Sequence, residues 1–150
     1  MERPTEGRLV AAKLVDYSLG LFASRTYAEE NGLPSSPGEL TRHRLVGYVG
    51  DLTVSPSLDY AAEFDPAWDA RFQVSSAIGQ TEAVRAGAGI GILHTFIARM
   101  HDDLVPVAAA PPIRRAYWLV YHETVRPLRR IQIVSAFISA EVEKARALFV

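Results

Sequence analysis

Ser75 and Ser76 stand where the residue pattern changes from strand to helix, so hydroxyls and unpaired backbone N–H groups should converge there. Such a junction receives a carboxylate or phosphate without help from lysine or arginine. The same residues also suit a simple cap, because a serine at a helix start commonly accepts one of the first free N–H groups. The sequence leaves both roles open. Gly87-Ala88-Gly89-Ile90-Gly91 invites a nucleotide-loop reading. A dinucleotide loop needs its glycines after a strand and before a helix, so that phosphate meets the helix N-terminus. Here the helix comes first and the strand follows, and no Gly-Lys-Ser/Thr is present. The segment therefore reads as a helix stop with close helix–strand packing.

Other reactive side chains form no recognisable constellation. His43, His94, His101 and His122 fall in four separate elements, without His-Glu-x-x-His or a second ligand pair at metal-binding spacing. His94 and His101 with Asp102 and Asp103 are the nearest thing to a metal set. Asp51, Asp59, Glu63, Asp65 and Asp69 spread through a loop region, where solvation is the default. No serine occupies Gly-x-Ser-x-Gly, the strained turn of α/β-hydrolases. We expect no catalytic residue, no metal and no cofactor.

The 150 residues suit one domain, with 49% hydrophobic and 22% charged residues, ordinary values for a globular chain. Sixteen basic residues face 17 acidic ones, for a net charge of −1. Arg114, Arg115, Arg126, Arg129 and Arg130 are balanced by Glu123, Glu141 and Glu143, so no basic stripe announces nucleic acid. The chain is not expected to grip DNA by itself. The absence of cysteine excludes disulfides and thiolate zinc sites and suits a reducing compartment. The polar start, Met-Glu-Arg-Pro-Thr-Glu-Gly-Arg, lacks the apolar core of a signal peptide, and no stretch is apolar enough to span a bilayer. A cytoplasmic location without membrane contact is expected.

Positioning elements alternate between strand and helix, which indicates α/β. Arg8–Leu14 and Ser18–Ala23 read as two strands with Asp16 between them. Ser24 should cap a short helix from Arg25 that ends at Asn31-Gly32. Ser36-Pro37-Gly38-Glu39 predicts a second helix, with serine as cap, proline in the first turn and Glu39 reaching back in a capping box. Arg44–Val49 is the next strand, and a short edge strand is expected around Leu58–Ala62. Ala70–Val74 alternates, with Phe72 and Val74 on one face. A helix follows Ser75–Gly79 and ends at Gly87; then come strand Ile90–Leu93, helix Thr95–Met100 and strand Leu104–Val107. Ala116–His122 is apolar on both faces, which predicts a central, doubly covered strand. The last helix opens near Pro127 and carries a stripe of Ile131, Val134, Ile138, Val142, Ala145 and Phe149.

The order of these signals resembles the effector domain of LysR-type bacterial transcriptional regulators. The likeness is carried by Arg8-Leu9-Val10-Ala11-Ala12-Lys13-Leu14, Leu21-Phe22-Ala23-Ser24 with Tyr27, Gly32-Leu33-Pro34, Ser36-Pro37 with Leu40, and His43-Arg44-Leu45-Val46. Val74-Ser75-Ser76, Gln80, Ala83 through Leu93, and Trp118-Leu119-Val120 before the last helix continue it. The resemblance implies a fold like the type II periplasmic binding proteins: two α/β subdomains joined by crossing strands, with a small-molecule cleft. It implies a second subdomain over 18–107, complete, and a first subdomain only partial, with 8–14 and 116–150 as its remnants.

Carried over by position, the resemblance places Gly47, Tyr48, Ser75, Ser76, His94, Thr95 and Trp118 at the effector site. It implies a small effector, expected to be an organic anion, and a homo-oligomer, a dimer or larger, that would reach DNA only through a winged helix-turn-helix this chain does not include. His94 departs from the proline that many relatives carry after the buried strand. A solute-binding protein of the same fold and a truncated remnant that only folds and self-associates are the alternatives.

Overall fold

A computed structural model describes residues 8–49 and 60–149. It divides into two compact units, Ser18–Ile113 and the flanking segments 8–17 and 114–149.

In the larger unit the sheet order is β3-β2-β4-β1-β5, formed by β1 (Leu9–Ser24), β2 (Leu45–Gly47), β3 (Phe72–Gln73), β4 (Ile90–His94) and β5 (Leu104–Pro106). Strands β2, β3 and β4 are parallel, whereas β1 runs antiparallel to β4 and to β5. β1 is one continuous strand of 16 residues rather than the expected two. Asp16 does not break it because an exposed carboxylate can point to water from an extended backbone, and Lys13 Nζ donates to it at 2.8 Å.

Helix α1 (Arg25–Asn31) starts and stops as its sequence dictates. The Ser24 hydroxyl accepts the Tyr27 N–H, and Gly32 adopts φ 69° while its N–H closes onto Ala28 O. The next turn, Pro37–Arg42, is a 3₁₀ helix, and the expected capping box is absent. Glu39 instead accepts from the backbone N–H and hydroxyl of Ser35, at 2.7 and 3.0 Å, and those bonds lower its pKa. Residues 61 and 62 lie in helix α2 (Ala61–Phe64), not in an edge strand; 58 and 59 fall outside the described residues.

Helix α3 (Ala77–Arg85) lies against β4 and β2, and α4 (Thr95–Ala98) follows β4 directly. Phe22, Val46, Val84, Leu93, Ala98 and Leu104 form the core of this unit. Each of these side chains other than Ala98 contributes roughly 1.5–3 kcal/mol on burial. Gly89 explains how the α3–β4 turn passes so close to its neighbour. A Cβ there would sit 2.1 Å from the carbonyl oxygen of Arg44. The strand expected over 70–74 shrinks to Phe72–Gln73, and Phe72 is exposed while Val74 is half-buried, because only two residues join the sheet at this edge.

In the smaller unit β6 (Ile113–His122) pairs with β1, and Tyr17 stacks on Tyr117 at 4.3 Å between centroids. The expectation of a central, doubly covered β6 fails. Among the described residues β1 is its strand partner, and only Ala116 is fully buried. Its apolar residues on both faces therefore exceed the cover available. Helix α5 (Arg129–Lys144) and the short α6 (Arg146–Phe149) complete this unit. Ile131, Ile138, Val142, Ala145 and Phe149 of the expected stripe are half-buried, but Val134 is exposed.

Candidate functional site

Parallel pairing gives β2, β3 and β4 a common carboxyl edge. Ligands of open α/β sheets gather outside such edges, where following helices begin with free N–H groups. Gly47 ends β2 and Tyr48 follows it; Ser75 and Ser76 lead from β3 into α3; His94 ends β4 and Thr95 opens α4. Six of the seven residues singled out by sequence thus share one edge of the larger unit. Trp118 is half-buried on β6, in the other unit.

The two serines have different duties. Ser76 is the N-cap of α3, at φ −138° and ψ 148°, and its Oγ accepts the Gly79 N–H at 3.0 Å. Ser75 is exposed, and its hydroxyl has no intramolecular partner among the described residues. One serine caps; its neighbour keeps a free donor beside the helix start.

Two residues that sequence reasoning did not place at the site stand out for their chemistry. Gln80 is 1% exposed, and its Nε2 has no hydrogen-bond partner among the described residues. The Trp68 indole Nε1 is likewise buried and has no partner among the described residues. A Cβ on Gly47 would lie 3.3 Å from that Nε1 and 2.7 Å from Ala70 Cβ, so glycine is what lets the indole pack onto β2. A buried donor left unmatched costs about 1–3 kcal/mol, and an acceptor brought by a ligand or water would relieve it. The signal for Gln80 was present: it follows the cap by four residues, one helical turn. Trp68 had no comparable signal, since it sits in an irregular passage.

The remaining positions are mainly structural. Ser18 Oγ donates to Thr95 Oγ1 at 2.9 Å, tying the start of α4 to β1. Tyr48 meets the Tyr60 ring edge-on at 6.0 Å. His94 stands edge-on to Phe96, and burial holds its imidazole below the ordinary value of 6.5. The possible metal set does not assemble: the Asp103 carboxylate accepts from Arg85 Nε at 2.9 and 3.1 Å. Among the described residues no three histidine or acidic side chains are grouped to hold a metal.

The sequence profile of the LysR substrate binding domain matches residues 1–143. The chain belongs to that family. This LysR substrate-binding domain also shares its fold with solved regulators. The CrgA regulatory domain of Neisseria meningitidis superposes with a TM-score of 0.77 at 24% identity, covering 93% of this chain and 73% of that one. Full-length AphB, a virulence activator of Vibrio cholerae, gives 0.72 at 19% identity over 93% of this chain and 50% of its own. The Synechocystis CcmR regulatory domain, solved in complex with 2-PG, gives 0.68 at 16% identity over 94% of this chain and 70% of that one. The LysR domain thus spans about half of a full-length regulator such as AphB. No curated protein matches it by sequence. The fold is therefore the mixed α/β, type II binding-protein architecture that the resemblance implied, and the domain is the effector-binding part of a LysR-type regulator.

Proposed function

We propose that this LysR domain senses a small organic anion held at the carboxyl edge of β2, β3 and β4. Three donors without a partner among the described residues support the reading: Ser75 Oγ just before α3, buried Gln80 Nε2 in the first turns of α3, and buried Trp68 Nε1 against Gly47 at the end of β2. A carboxylate or phosphate supplies acceptors and negative charge, and the helix start favours both. Gly47, Tyr48, His94 and Thr95 shape the same edge. The domain has no catalytic role in this reading; it signals by binding.

The larger unit corresponds to the second subdomain of the family, and the smaller to part of the first. The domain acts in the cytoplasm, associates with itself, and reaches a promoter only through a separate winged helix-turn-helix. Among the described residues no helix is long and apolar enough to cross a membrane.

Calorimetric titration of acetate, inorganic phosphate and 2-PG into the chain and into a Gln80→Leu variant tests the reading. Saturable binding of at least one anion, lost in the variant, is expected. Equal heats in the two proteins would refute the site.

A further inference from the structure

The larger unit holds a second concave place, at the opposite end of β2 from Gly47. A recess of about 570 Å³ opens between α1 and residues 42–44, which lead into β2. Its walls are Tyr27, Glu30, Asn31, Arg42, His43 and Arg44. The side that leads into β2 is basic. Arg44 Nη2 donates to Gly87 O at 3.1 Å, and its guanidinium lies over the Tyr27 ring at 5.2 Å, so this charge is held in place. The buried Tyr27 hydroxyl accepts the Arg44 N–H at 3.2 Å and has its own proton to give to His43 Nδ1, also at 3.2 Å. His43 thereby keeps its ring proton on Nε2, as a further donor. Arg42 adds an exposed guanidinium that makes no ion pair among the described residues.

The α1 side offers acceptors instead. Glu30 is exposed and also without an ion pair among the described residues. Asn31 Nδ2 donates to Tyr27 O at 3.0 Å, which leaves Oδ1 as an acceptor. Arg42 and Glu30 thus line one recess with opposite charges and do not bridge it.

We infer that this recess is a second ligand site and takes a free α-amino acid. The carboxylate is received by Arg42, Arg44 and His43 Nε2, and the ammonium by Glu30 and Asn31 Oδ1. A simple anion would meet the Glu30 carboxylate, and a simple cation would meet two guanidinium groups. A zwitterion satisfies both sides with charge-assisted hydrogen bonds. The volume falls within the ~300–1,000 Å³ of small-molecule sites, so a side chain has room beyond the two charged ends. The inference does not rest on the anion site at the carboxyl edge.

Amide NMR of the whole chain, titrated separately with L-alanine, L-leucine, L-glutamate, L-arginine, acetate and methylamine, is the test. At least one amino acid is expected to give saturable shifts at Asn31 and residues 42–44, which neither acetate nor methylamine reproduces at the same concentration. Arg42→Ala and Glu30→Gln, both at exposed positions, should each weaken this binding by about tenfold or more, with helicity by circular dichroism unchanged. Ser75→Ala/Gln80→Leu should leave it intact, so the two sites fail separately. Acetate matching the amino acid would overturn the zwitterion. Amino-acid binding indifferent to both Arg42→Ala and Glu30→Gln, or no saturable shift there from any of the four, would overturn the site.

Discussion

Ser76 Oγ accepts the N–H of Gly79 at 3.0 Å, so one hydroxyl of the Ser75-Ser76 pair is committed to holding the start of α3. Ser76→Ala should therefore destabilise the domain by about 1 kcal/mol, and Ser76→Asp should recover most of the loss. Ser75→Ala, at an exposed residue outside the cap, should change stability by less than about 0.5 kcal/mol. Urea unfolding monitored by circular dichroism measures all three. Equal losses from both alanine variants would contradict the division of roles.

Gln80 gives the opposite prediction for stability. Its buried Nε2 is unmatched among the described residues, so Gln80→Leu should leave the anion-free domain as stable as before, or more so. The same change should abolish the stabilisation that a bound anion confers. Thermal unfolding with and without added phosphate checks both halves. A strongly destabilised Gln80→Leu domain would mean that the amide is already satisfied.

His94 links the site to pH. Burial lowers its pKa from the ordinary value of 6.5, so the folded domain resists protonation that the unfolded chain accepts. Its effect is absent above about pH 6.5, where both states are neutral. As pH falls below that value the unfolded chain binds the extra proton, and stability declines until the lowered folded-state pKa is reached. His94→Gln should flatten the slope of unfolding free energy against pH in this window. An unchanged slope would show that other groups set it.

Gly89 is predicted to tolerate no side chain. It has φ 156°, and a Cβ would lie 2.1 Å from Arg44 O, a backbone atom that cannot swing aside. Gly89→Ala should cost more than about 1 kcal/mol, visible as a lower urea midpoint. A wild-type midpoint would contradict the close approach.

Much of the larger unit was legible because its signals are local. Ser24, Gly32 and Gly87 mark helix ends by side-chain and backbone chemistry, and the apolar run at Ile90 marks a buried strand. The misread elements depended on distant partners. The polar break at Asp16 could not announce that the strand continues, because the ladder to β4 and β5 that holds Leu19–Ser24 lies far along the chain. Two apolar faces on Ala116–His122 suggested cover on both sides, which the number of neighbouring strands decides and the sequence does not. At the site, spacing placed Ser75 and Ser76 but could not divide capping from binding. The unmatched Trp68 indole was invisible, since its contact with Gly47 joins a loop to a strand more than 20 residues away.

Amide NMR of the chain, titrated with acetate and then phosphate, tests the anion site most directly. The account predicts saturable shifts concentrated on the backbone amides of Ser75 through Gln80 and on the Trp68 indole N–H, absent in a Ser75→Ala/Gln80→Leu double variant. Saturable shifts confined to other residues, or unchanged shifts in the double variant, would contradict it.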